Sequence, residues 1–147
     1  MAATDWSFYN SFREYIGNGQ FDLDGTSVNF FLALHTSAAR ANVNTKTLST
    51  QASLANECAA GNGYATGGLS VSGRTWASVA TDKYRFDSTA VVWTATGGTI
   101  ANIKYAVIYQ SGGKLVCFSK LTTAQFTLAE DNTLTVTPSA SGIFELA

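Results

Sequence analysis

Acid–base or nucleophilic chemistry in this chain would have to run through His35, the only histidine among 147 residues. A Ser-His-Asp or Cys-His arrangement needs that imidazole beside a nucleophile. No serine lies in the Gly-x-Ser-x-Gly turn that lifts a nucleophile above a sheet. His35 instead closes an apolar strand beside Thr36-Ser37, where a structural hydrogen bond is the expected role. Zinc takes three or four ligands, and one histidine with two distant cysteines, Cys58 and Cys117, does not supply them. Both thiols are expected to be free, Cys117 as a small core residue in step with Leu115, Ser119 and Leu121. Asp22-Leu23-Asp24-Gly25 opens like a calcium loop, but Asn and apolar residues follow and no Glu stands at the twelfth position, so it reads as a turn. Glu57 with Glu130 or Asp131 forms a glycosidase-type carboxylate pair only in the sense that any chain with ten acidic residues contains one. The expectation is a protein that is not an enzyme, with no catalytic, cofactor-binding or metal-binding residues.

The stretch from Asn56 to Leu69 carries the most specific pattern, four glycines around Tyr64. Glycine at that density marks backbone that enters positive φ or passes close to other backbone. Gly61-Asn62-Gly63 lacks the Walker lysine and the following helix of a phosphate cradle. It is therefore expected to be a structural crossing, with Tyr64 as its anchor.

The elements that would hold these residues are mostly strands. Phe8, Phe12 and Ile16 fall four apart with Tyr9 and Tyr15 alongside, which predicts a short helix within residues 1–19, capped by Asp5 and ended by Gly17-Asn18-Gly19. This aromatic stripe has two uses, packing on the domain's own sheet or docking onto a neighbouring subunit. Asp24-Gly25 predicts a hairpin joining Phe21–Leu23 to Val28–His35, with Phe30, Leu32 and Leu34 on one face and Phe31, Ala33 and His35 on the other. Residues 36–56 lose periodicity and read as a long loop with room for a helical turn near Ser49. Alternating segments follow at Leu69–Val79, Lys83–Asp87, Ala90–Ala95 and Ile103–Tyr109. Ser111-Gly112-Gly113 then turns into Lys114–Leu121. Phe126 and Leu128 are expected to meet Leu134 and Val136 in a hairpin across Glu130-Asp131-Asn132, with Ile143–Leu146 as the last strand and Pro138 at a strand end. Such a series of short strands and Gly/Asn/Ser turns predicts a mainly β chain: one domain over residues 1–147, an antiparallel β-sandwich or barrel with a short N-terminal helix.

Composition narrows the partners. Charged residues are only 13% of the chain and the net charge is −1, about half the usual charged share. The surface is hydroxyl-rich, and part of it is expected to be covered by self-association or assembly. Nine scattered basic residues do not make a nucleic-acid surface. The start lacks a signal-peptide pattern and the longest apolar run, Phe30–Leu34, is too short to span a bilayer, so synthesis in a cytoplasm is expected and no membrane partner is. Trp93 alternates with Val91 and reads as core. Trp6, Phe8, Phe12, Tyr64 and Trp76 are the candidate partner-binding residues.

Asn56-Glu57, Gly61-Asn62-Gly63-Tyr64 and Gly67-Gly68-Leu69 lie between Phe30-Phe31-Leu32-Ala33-Leu34 and the later Val92-Trp93-Thr94-Ala95 and Tyr105-Ala106-Val107-Ile108-Tyr109. Over most of its length this order resembles small structural proteins of tailed bacteriophage particles, which open with a short helix, an aspartate-rich turn and an apolar strand. The polar loop from Ala38 to Leu54 is longer than that pattern. The resemblance implies a virion protein that works by binding other virion proteins. Its most specific form is a capsid decoration, or cement, protein that reinforces the major capsid protein shell as a homo-oligomer, with a trimer as the expected state. The alternative is a tail-tip, fibre or baseplate module that binds host carbohydrate through exposed aromatics.

Overall fold

The computed structural model describes residues 2–3, 6–24, 28–36 and 46–147. Twelve strands and one helix are found among them: β1 (Ala2–Ala3), β2 (Trp6–Phe8), α1 (Asn10–Gly17), β3 (Phe30–Thr36), β4 (Leu69–Ser70), β5 (Thr75–Ala80), β6 (Lys83–Asp87), β7 (Val91–Thr94), β8 (Ile100–Gln110), β9 (Lys114–Lys120), β10 (Phe126–Leu128), β11 (Thr133–Pro138) and β12 (Phe144–Leu146). The fold is mainly β, a sandwich-like single domain with a short N-terminal helix.

The largest sheet runs β2-β9-β8-β3-β4, with β10 added to β8. Its centre is β8, eleven residues long, which takes β3 on one edge and β9 on the other, both antiparallel. The expected alternation of β3 is present, and both of its faces are buried. Phe30, Leu32 and Leu34 join the main core with Ala106, Ile108, Val116 and Cys117, while Ala33 joins a second core with Tyr105, Val107, Leu115 and Phe118. The main core is closed by two three-stranded sheets, β1-β11-β7 and β12-β6-β5. They contribute Trp93, Leu134 and Val136 from one and Phe86 and Phe144 from the other. All strand pairs are antiparallel except β1 with β11. Cys117 is fully buried, as its strand pattern implies.

Three expectations about local pairing need correction. The N-terminal helix begins only at Asn10: Trp6-Ser7-Phe8 forms β2, which pairs with Ser119, Phe118 and Cys117 of β9. Phe8 therefore reaches Phe12 from a strand, and their rings stack at 4.8 Å. Asp5, the expected cap, lies outside the described residues. The helix does end as expected, with Gly19 at φ 63° and its N–H donating to Ile16 O. Second, Phe21–Leu23 is not a strand, so the hairpin about Asp24-Gly25 is absent and β3 takes β8 and β4 as partners. Phe21 instead packs its ring against Phe12, Tyr15 and Phe30. Third, β10 and β11 do not pair with each other. β10 extends the large sheet at β8, and β11 crosses to β7, so the turn at Glu130–Asn132 changes sheets. Of the long loop, residues 37–45 lie outside the described residues, and its later part carries a 3-10 turn at Gln51–Ser53.

Candidate functional site

The glycine-rich stretch runs where the large sheet meets β7. A Cβ on Gly68 would overlap the carbonyl oxygen of Leu32 in β3, and a Cβ on Gly63 would overlap that of Thr94 in β7. Both residues also have positive φ, 75° and 90°. Tyr64 is buried between them. Its hydroxyl donates to Glu57 Oε1 at 2.6 Å and accepts the Leu34 N–H at 3.0 Å. The same Glu57 oxygen accepts the Gly67 N–H at 2.6 Å, and Tyr109 donates its hydroxyl to Gly67 O at 2.7 Å. Burial, then the hydrogen bond and charge of Glu57, push the Tyr64 hydroxyl far above its ordinary pKa, so it stays protonated. The motif is a clamp, as its glycine spacing implies. Sequence reasoning missed Glu57 as its acceptor because an isolated glutamate carries no signal of its own.

The groups with chemical potential around the clamp are closed off. His35 is 1% exposed, and its Nδ1 lies 3.2 Å from Ala55 O, so Nδ1 carries the proton and Nε2 is the bare nitrogen. Nε2 is buried and has no hydrogen-bond partner among the described residues. Burial lowers the His35 pKa from 6.5, against smaller raising effects of the Ala55 bond and the Glu57 charge. The unfolded chain therefore takes up this proton first as pH falls. Stability should be complete above the ordinary histidine range and decline below it, by at most about 1.4 kcal/mol per pH unit from this group. Urea melts between pH 7.5 and pH 5 should record that slope, and His35→Gln should flatten it; equal slopes would refute the assignment. Burial pushes the Cys58 thiol up to about 12, which leaves it unreactive near neutrality.

The candidate partner-binding residues divide by burial. Phe12 and Tyr64 are 1% and 3% exposed, so neither offers a surface. Both must be withdrawn as contact residues: Phe12 closes the main core against Phe144, and Tyr64 serves the clamp. Trp6 and Phe8 are half-buried on β2. Trp93 is core, as its alternation implies. Trp76 remains partly accessible on β5. Its ring stacks on Tyr84 of β6 at 5.5 Å, and it lines a cleft of about 280 Å³ with Ile16, Phe21, Leu23 and Leu146.

The β12-β6-β5 ribbon around Trp76 carries two of the three exposed large hydrophobic residues among those described, the third being Val92 on β7. Val79 is 41% and Tyr84 46% exposed. Glu145 on β12 pairs with Arg85 at 2.7 Å and Lys83 at 3.2 Å, and these cations hold its pKa below the usual carboxylate value. All three charges sit on β6 and β12, which leaves β5 itself, Thr-Trp-Ala-Ser-Val-Ala, with no charge and no proline. β5 is the outermost strand, and among the described residues nothing pairs with its outer edge. Natural edges are blunted by charge, proline or a bulge, because unpaired N–H and C=O groups template another strand. Here the one such device is a register shift between Ser78 and Ala80, next to the turn.

No protein-family model, no curated protein and no solved structure matches this chain.

Proposed function

We propose that this chain is a structural protein of a tailed-phage particle, and that it decorates the capsid as a homo-oligomer bound to the major capsid protein shell. The class comes from the motif resemblance. The observation in favour of binding rather than catalysis is the edge of β5, unpaired among the described residues, a six-residue, uncharged, proline-free strand that carries Trp76 and Val79, with Tyr84 accessible beside it on β6. Strand addition to such an edge supplies main-chain hydrogen bonds, and the neighbouring aromatics supply the desolvated contacts that dominate interface energetics. A surface poor in charge suits binding repeated at symmetry-related sites.

Heads lacking this protein, mixed with the purified chain and sedimented, should carry it down and become harder to disrupt by heat. Placing lysines at Ala77 and Val79 puts charge on the edge strand and should leave the melting temperature nearly unchanged while reducing head binding about tenfold or more. Recovery of the protein with purified tails alone would overturn decoration, and undiminished binding of the lysine variant would overturn the role of β5. Sedimentation velocity on the free protein tests the trimer.

A further inference from the structure

Another concavity, which Glu57 of the clamp also lines, has a different chemistry. It is a cleft of about 470 Å³ between the Thr36–Asn62 region and the start of β8. Asn56, Asn62 and Asn102 all line it, and all three hold positive φ, at 58°, 53° and 62°. Only two other non-glycine residues among those described do so, Asp82 and Asp131. Among the described residues glycine holds the other eleven positive-φ positions. After glycine, asparagine is the residue that most readily holds this backbone, and its use at three positions lining one cleft brings three carboxamides to that cleft.

The polar groups in the cleft have capacity left. Glu57 Oε1 is taken by Tyr64 and Gly67, which fixes the carboxylate, while Oε2 has no hydrogen-bond partner among the described residues. Asn62 Nδ2 donates to Thr99 O and Asn102 Oδ1 accepts from Gln125, which leaves Asn62 Oδ1 as an acceptor and Asn102 Nδ2 as a donor. Thr36 and Thr99 add hydroxyls, and the methyls of Ala59, Ala60 and Ala101 leave room between them. Among the described residues no lysine or arginine lines the cleft, and Glu57 disfavours an anion there. One carboxylate is too few for a calcium cage, and the volume suits a small organic ligand. Among the described residues its lining holds no large apolar anchor for a peptide.

We propose that this cleft binds a neutral saccharide, one or two sugar residues, with hydroxyls donating to Glu57 Oε2 and accepting from the asparagine amides. This goes beyond the decoration role and does not depend on it. The test is a titration of the ¹⁵N-labelled full chain with glucose, galactose, rhamnose and N-acetylglucosamine, read by amide shifts. At least one sugar should move the amides of Asn56, Glu57, Asn62 and Asn102, with millimolar affinity. Glu57→Gln keeps an oxygen for Tyr64 and Gly67 but turns the second carboxylate oxygen from an acceptor into a donor, and should weaken binding about tenfold. Asn56→Gly and Asn102→Gly delete the carboxamide at a φ that glycine tolerates, and should lose affinity while keeping the melting temperature. No shift with any of the four sugars, shifts confined to Trp76 and Tyr84, the same shifts with calcium chloride alone, or affinity unchanged in all three variants would each overturn the proposal. Head binding is read separately, so failure here leaves a distinct signature from failure of decoration.

Discussion

Gly68→Ala should be among the most damaging single-methyl changes in this protein, with a loss of about 4 kcal/mol or failure to fold. Two penalties coincide at this position. At φ 75° an L-residue is strained by about 1–2 kcal/mol. The added methyl also meets backbone: it would overlap Leu32 O and sit 2.7 Å from Ala33 Cα. Those atoms belong to β3, which is held between β8 and β4 with both faces in a core, so the strand cannot yield without disturbing both. Gly112→Ala is the control. Its φ of 90° imposes the backbone strain, but nothing lies within 4 Å of the new methyl, so the loss should stay near about 1–2 kcal/mol. Urea denaturation of both variants measures the difference. Equal losses would mean that the crossing at Gly68 is not a tight contact and that its glycines serve only the turn.

That contrast marks what could be read from residue order. Glycine density between Asn56 and Leu69 announces a crossing, because few other residues occupy positive φ or touch backbone so closely. Which carbonyl each glycine meets is set by strands more than thirty residues away and leaves no local trace. The same division runs through the sheets. The alternation of Phe30 to His35 and the hairpin of β8 with β9 across Ser111-Gly112-Gly113 are local patterns, and both are present. Phe126–Leu128 and Leu134–Val136 alternate equally well, yet they join different sheets, since period-two alternation fixes which face is buried and not which strand is the neighbour. Phe8 fits a helical stripe by spacing, but Trp6-Ser7-Phe8 also alternates, and the free edge of β9 outweighed one more helical turn. For the candidate surfaces, Trp76 was legible as an accessible aromatic. The outermost place of β5 and the convergence of three asparagines were not, because both arise only from assembly.

Tyr64→Phe isolates the polar half of the clamp from its packing. On the outer edge of β3, β4 pairs with Phe31 and Leu32, and the chain at Glu57 bridges His35. Between those two supports the Leu34 N–H has no strand to bond and is met by the Tyr64 hydroxyl at 3.0 Å. The phenol oxygen thus replaces one rung of a missing strand while donating its proton to Glu57. Phenylalanine keeps the ring in the core and leaves a buried N–H unpaired, which costs about 1–3 kcal/mol, and the loss of a bond to a carboxylate places the effect at the upper end. Tyr84→Phe, at 46% exposure, should change stability by less than about 0.5 kcal/mol. Because Tyr64 and Glu57 share one hydrogen bond, Tyr64→Phe combined with Glu57→Ala should lose less than the sum of the single losses, by about 1 kcal/mol. Hydrogen exchange adds a site-specific readout: the Leu34 amide should lose protection in Tyr64→Phe while its neighbours paired to β8 keep theirs. A Tyr64→Phe variant as stable as Tyr84→Phe, with Leu34 still protected, would mean that water or a neighbouring carbonyl satisfies this edge and that the tyrosine is there for its ring alone.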